Sequence, residues 1–193
     1  MKKLRSILVI GVATLAFQAC KSGSGSSSTT DSTTVTKDST TKTVTSTTPV
    51  DKGDSTFVVT AAKDGMAEVA AGKMAQNQAV SQRVKNFANM MVTDHTKAGD
   101  ELAAIAKSKN ITLPTAPDAD AQKMAADMGK MIGKDFDKDY VNGMVDGHEK
   151  AVKLFTDASQ TLKDSTLRAF AISTLPTLKM HLDSIKAIKA SMK

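Results

Sequence analysis

The sequence predicts an all-α domain: an up-and-down bundle of four long helices with one short extra helix, following a disordered N-terminal tether. Three observations predict it. Composition changes abruptly near residue 54, from a Ser/Thr-rich tract to a stretch rich in Ala, Lys, Met and Leu. Beyond that point apolar residues recur at three- and four-residue steps, the period of a helix face, with few β-branched runs. Turn residues interrupt the pattern at helix-length intervals.

The first helix follows a cap at Asp54 or Ser55 and runs to about Gln78; the second follows Ser81 and runs to about Ser108. In the second, Phe87, Met91, His95, Ala98, Leu102 and Ile105 share a face. "NITLPTAPD", Asn110 to Asp118, is a connection carrying two prolines. A short Met-rich helix spans about Ala119 to Ile132 and ends at Gly133, with Met124, Met128 and Met131 read as core packing. A long helix covers about Phe136 to Leu162, its apolar face carrying Val141, Val145, His148, Val152 and Phe155. The last covers about Ser165 to Ala190 through Ala171, Leu175, Leu178, Leu182 and Ile185. Pro176 lies inside it, removes one backbone donor and predicts a kink near Ala171 to Leu175. Residues 55–193 are enough for one domain with a sizeable core.

The N-terminal stretch "MKKLRSILVIGVATLAFQAC" reads as a signal peptide over residues 1–19. A basic start at Lys2, Lys3 and Arg5 precedes an apolar run, Ile7 to Phe17, too short for a stable span. Cys20 is the single cysteine, so it has no disulfide partner within the chain. "AFQAC" resembles a bacterial lipobox, with Phe17 and Gln18 departing from the commonest pattern, and implies lipidation of Cys20. By resemblance to enterobacterial sorting rules, Lys21 in place of Asp favours the outer membrane. Residues 20–54 form the tether. From Lys21 to Asp54, 34 residues include 8 Ser and 11 Thr. Such a segment cannot bury enough surface to offset its chain entropy. The expectation is an outer-membrane lipoprotein in the cell envelope, held to the membrane through Cys20 and facing the periplasm. "DST" at Asp31, Asp38, Asp54 and Asp164 resembles an O-glycosylation motif, and is equally the product of a Ser/Thr-rich composition.

The net charge is +6. Three positive residues sit in the signal, and four Lys balance four Asp in the tether, which leaves a mild +3 for the folded part (6 − 3 − 0). With no Trp, one Tyr and no clustered Arg, nucleic acid is not an expected partner. Exposed lysines interspersed with acids, such as Lys97, Asp100 and Glu101, read as a solvated surface, with an envelope polymer or protein as the partner to consider.

"FANMMVTDHTKAGDELAAIA", "FDKDYVNGMVDGHEKAVKLF" and "LPTLKMHLDSI", in that order, resemble a bacterial family catalogued as domain of unknown function 4142. The likeness covers about Thr56 to Ile188. It implies an exported protein with a ferritin-like helical bundle, and assigns no activity.

The chain has three histidines, and two lie in matching stretches: "MMVTDHTKA" from Met90 and "GMVDGHEKA" from Gly143. His95, His148 and His181 fall on three helices, each on or beside an apolar stripe. The first helix offers Asp64 and Glu68 among small residues. Three imidazoles and a carboxylate from four helices would suit one Cu, Zn or Fe ion, with His95, His148, His181 and Glu68 as ligands. Met91 and Met144, each one turn before a histidine, would join them for copper. The competing reading is a network of hydrogen bonds between helices, with Asp64, Glu68 or Asp94 as acceptors and no cofactor. A ferritin-type di-iron centre needs Glu-x-x-His on two helices; Val92, Val145 and Leu178 stand three residues before the histidines, so that chemistry is excluded. No nucleophile elbow or glycine-rich phosphate loop is present. The expected function is a non-enzymatic binding or interaction module of the cell envelope, with stress as the expected setting and a metal-binding protein as the alternative.

Overall fold

The computed structural model describes residues 50–192, and the predicted signal, Cys20 and most of the tether lie outside the described residues. The domain is an all-helical up-and-down bundle: α1 (Lys52–Gln78), α2 (Gln82–Ser108), α3 (Ala119–Met128), α4 (Gly133–Thr161) and α5 (Ser165–Ser191). Helix α1 packs on α2 and α4, and α5 packs on α4 and α2. The short α3 lies against α1 and α4.

Two buried aspartates fix how the long helices run. Asp54, in the first turn of α1, accepts from the backbone N–H groups of Lys163 (3.0 Å) and Asp164 (2.9 Å) in the α4–α5 turn. Asp137, near the start of α4, accepts from Val80 (3.0 Å) and Ser81 (2.8 Å) in the α1–α2 turn. The start of α1 therefore lies at the end of α4, and the start of α4 at the end of α1. Each long helix is antiparallel to both of its neighbours, while the diagonal pair α2 and α4 runs parallel. The connection from α2 to α4, which contains α3, must return along the bundle to make this possible.

These clamps displace two sequence expectations. Asp51, and not Asp54 or Ser55, caps α1, accepting from Gly53 N–H at 2.8 Å. Asp54 is instead consumed by the turn opposite, so the helix begins at Lys52, inside the stretch assigned to the tether. Ser81 occupies the N-cap position of α2 without a side-chain capping bond. Gly133 does not end α3. It has φ +64° and opens α4, so α3 stops at Met128 and the chain turns through residues 129–132. Helix α5 continues unbroken through Pro176. The missing donor leaves the carbonyl one turn earlier, at the exposed Ile172, open to solvent. Of the DST sequences, those at Asp54 and Asp164 serve the fold: the first is the buried clamp, and Asp164 caps α5 through the N–H groups of Thr166 and Leu167.

The core falls into two apolar clusters. One gathers Ala71, Ala75, Val84, Phe87, Met91, Phe136, Tyr140, Met144 and Ile185 around the α1–α2 turn. The other gathers Phe57, Val58, Leu102, Phe155, Leu167, Phe170 and Leu178 at the opposite end, where Phe57 meets Phe155 edge-on at 5.1 Å. Close approach of α1 to α2 depends on Gly72, where a Cβ would meet Val92 Cγ2 at 2.9 Å and the Ala88 carbonyl at 3.3 Å.

The clamps make a direct prediction. Removing one acceptor strands two N–H groups in a part-buried turn, at about 1–3 kcal/mol for each unsatisfied group. Asp54→Ala should lower the unfolding free energy by roughly 2–4 kcal/mol. Urea denaturation checks this against Asp51→Ala, the exposed cap, which should cost clearly less; equal losses would disprove the clamp.

Candidate metal centre

Between the two clusters lies a single polar layer. Helix α2 supplies His95, two turns or less from Met91 and Leu102. Helix α4 supplies His148 between Val145 and Ala151, α5 supplies His181 between Leu178 and Ile185, and α1 supplies Glu68 just before Ala71. Parallel α2 and α4 explain the matching stretches. The same register on two helices running the same way brings both histidines to one level across the bundle.

The three rings are mutual neighbours, with centroids 5.5 Å (His95–His148), 5.4 Å (His95–His181) and 5.4 Å (His148–His181) apart. One ring nitrogen from each lies within 4.8 Å of the other two. His148 and His181 are fully buried, and His95 is 9% exposed. Phe87 packs edge-on to His148 and His181 at 6.4 and 6.3 Å, closing one side with hydrocarbon.

One nitrogen of each ring is held. His148 Nδ1 lies 3.0 Å from the Met144 carbonyl oxygen and 3.2 Å from Glu68 Oε1. A carbonyl only accepts, so Nδ1 carries the proton and Nε2 keeps its lone pair. His181 Nε2 donates to Asp94 Oδ2 at 2.9 Å, which leaves the Nδ1 lone pair. His95 Nδ1 pairs with Glu68 Oε2 at 3.0 Å. The remaining nitrogens, His95 Nε2, His148 Nε2 and His181 Nδ1, are buried and have no hydrogen-bond partner among the described residues.

Burial dominates the protonation of this layer. It pushes the Glu68 carboxyl up to about 8, with the Asp64 charge acting in the same direction. It lowers His95 to about 3, assisted by His148 and His181. It lowers His148 to about 4, assisted by His181 and opposed by the bond to Met144. At neutral pH the Glu68 contacts are hydrogen bonds within an uncharged cluster that holds one proton, and not ion pairs between separated charges. Neutral imidazole is the form that binds a metal.

Each expected residue can be placed. His95, His148 and His181 are brought together, as the convergence of their helices requires. Glu68 reaches the same layer at Nδ1 of His95 and of His148, but it is not one of the three residues whose ligand atoms all lie within 4.8 Å of one another. Met91 is fully buried in the apolar cluster next to α1, and Met144 contributes its backbone carbonyl to His148. Asp64 stays outside the layer. Sequence reasoning named Asp94 only as a possible acceptor; its place beside His181 depends on how α2 and α5 rotate against each other.

A cleft of about 240 Å³ opens between α1, α3 and α4 and reaches this layer at Glu68. Its walls include Asp64, Met124, Met128, Tyr140, Met144 and Gly147. A Cβ at Gly147 would stand 3.4 Å from Glu68 Oε1. Met124 belongs to the cleft and not to the core: it is 67% exposed, whereas Met128 is buried and Met131 partly buried. An α3 that ends at Met128 and touches the bundle along one face cannot bury all three.

The fold and the site define the class: an up-and-down helical bundle with three histidines at its centre. The family described as Domain of unknown function (DUF4142) matches residues 39–188, and the chain belongs to it. Among solved structures, the crystal structure of a DUF305 fragment from Deinococcus radiodurans aligns with a TM-score of 0.66 at 9% identity. The alignment covers 75% of this chain and 99% of that one, which is a likeness of fold. No curated protein matches the chain.

Protonation of the layer predicts the pH dependence of stability in chelator-treated protein. From about pH 4.5 to 6.5 the unfolded chain protonates two of these histidines, whereas the folded cluster holds one proton, so stability rises with pH. From 6.5 to about 8 the unfolded groups hold none and the folded cluster still holds one, so stability falls. The urea midpoint should peak near pH 6.5. Glu68→Gln should abolish the alkaline fall and steepen the acid limb. A peak unchanged in Glu68→Gln would contradict this account.

Proposed function

We propose that this domain binds one transition-metal ion, of the Cu, Zn or Fe class, through His95, His148 and His181, and that its role is holding the ion rather than turning over a substrate. The observation that carries the reading is three imidazole nitrogens, buried without hydrogen-bond partners among the described residues, on rings that converge from three helices. A network serving only to join helices would use both nitrogens of each buried ring. Here one nitrogen of each is used and the other is left over, an arrangement that costs free energy unless something binds there.

The partners of the outer nitrogens support the same reading. Metal-binding histidines characteristically give their second N–H to a carboxylate or a backbone carbonyl, which fixes tautomer and ring orientation. Glu68, Asp94 and the Met144 carbonyl stand in those places. Zinc–nitrogen bonds of about 2.0–2.1 Å require ligand nitrogens roughly 3.3–3.5 Å apart, so nitrogens now within 4.8 Å would close in by about 1.5 Å at most, within reach of modest χ rotations. Glu68 then acts as an orienting group, and its proton leaves readily when positive charge arrives.

The ion should be detected in the full chain stripped with chelator and titrated with Zn(II) or Cu(II) alone. One equivalent per chain is expected, lost in His148→Ala and in His181→Ala while the helical circular dichroism persists. At a hundredfold excess over Kd the ion should add about 2.7 kcal/mol, a rise in Tm of roughly 5–10 °C. No stoichiometric uptake by the wild-type chain would end the proposal.

The setting we propose is the cell envelope, with the domain carried on a Ser/Thr tether from a lipidated Cys20 and meeting metal outside the cytoplasm. The apolar run, the small residues before the cysteine and the composition of the tether support it. Labelling with a palmitate analogue should mark the wild-type chain and not Cys20→Ser, and the variant should leave the membrane fraction. A variant that stays labelled and membrane-bound would refute the anchor.

A further inference from the structure

The cleft between α1, α3 and α4 contains chemistry that the histidine centre does not use. Three thioethers line it. Met124 stands in solvent at the mouth, Met128 lies one helical turn further along α3, and Met144 comes from α4. The inner end is Glu68, whose carboxyl touches both His95 and His148. Asp64 and Asp139 supply negative charge to the lining, partly offset by Lys150.

On the footing of the metal reading above, we infer that this cleft is a second, soft-cation site that captures Cu(I) through Met124, Met128 and Met144 and delivers it toward the histidine centre. A thioether is neutral, polarisable and a poor ligand for Zn(II) or hard cations, so it selects Cu(I). Met124 and Met128, four residues apart, share one face of α3. Both therefore address the wall to which Met144 also contributes. Glu68 joins the two sites physically, because it lines the cleft and bonds the imidazoles. Transfer is ligand exchange: Cu–S bonds are replaced by Cu–N bonds, copper stays Cu(I), and no electron moves.

Anaerobic titration of the full chain with Cu(I), against a chromophoric Cu(I) chelator and with X-ray absorption at the copper edge, tests this. The wild-type chain should take two Cu(I). The double variant Met124→Leu/Met128→Leu, which conserves volume, should take one, with nitrogen neighbours only, and its Zn(II) stoichiometry should not change. His148→Ala/His181→Ala should also take one, with sulfur neighbours retained. Two Cu(I) on the methionine variant, or no sulfur signal on the histidine variant, overturns the capture site and leaves the histidine centre standing. Two Cu(I) on the histidine variant overturns the histidine centre instead.

Discussion

The Glu68 carboxyl, bonded at once to His95 and His148, is the contact on which the rest of the bundle turns. It ties α1 to both members of the parallel diagonal pair, α2 and α4. With His181 held from α5 by Asp94 of α2, all four long helices are pinned at one level. Hydrophobic packing is tolerant of slippage along a helix, whereas a bridging carboxylate with two fixed partners is not. The two apolar clusters can therefore be built from ordinary Phe, Leu, Met and Ala, because the polar layer between them sets the register. Small residues around it follow from the same demand: Gly147 leaves room for Glu68 on α4, and Gly72 lets α1 approach α2.

The ends of the bundle apply the same device in another form. Asp54 and Asp137 each close the turn of the opposite hairpin by accepting two backbone N–H groups, so each hairpin is completed by a side chain from the other. Acceptance by an ionised group strengthens such bonds relative to neutral ones. The α2–α4 connection takes no part in these clamps and meets the core only through residues such as Ile111, Leu113 and Met128. That is where the chain carries its short, partly exposed α3 and the cleft beneath it.

Much of this was legible in the sequence, and the misses have physical reasons. Helix number, the ends of α1 and α2 and the convergence of three histidines follow from periodicity and turn residues, which are local. The long-range assignments are not local. Asp54 has the spacing of an ordinary cap, and nothing near it indicates that its acceptors are claimed by residues 163 and 164. Glycine ends helices often, so Gly133 in the sequence points to a stop, but its positive φ sits at the entrance to α4. Met124, Met128 and Met131 look alike as a stripe. Only the shallow docking of α3 separates the exposed one from the buried ones. The role of Glu68 was half legible: its helix face was right, but whether it stands among the imidazole nitrogens or behind them depends on side-chain rotation.

Three unpartnered imidazole nitrogens at the centre of a bundle set an energetic question that the fold alone does not answer. At about 1–3 kcal/mol for each buried unsatisfied group, they amount to roughly 3–9 kcal/mol, a large share of the 5–15 kcal/mol that holds a typical domain together. Fixing the register uses only one nitrogen of each ring and leaves the other without a structural role. The surrounding groups deepen the point, because the Met144 carbonyl and Asp94 fix His148 and His181 with a lone pair available, and loss of the Glu68 proton lets His95 Nδ1 donate to it and frees Nε2 in the same way. Orientation at the expense of stability is the signature of a site prepared for a ligand that binds lone pairs. Phe87 walls that layer on one side, and the cleft beside Glu68 reaches it from another, which is the setting in which we propose that a metal ion binds.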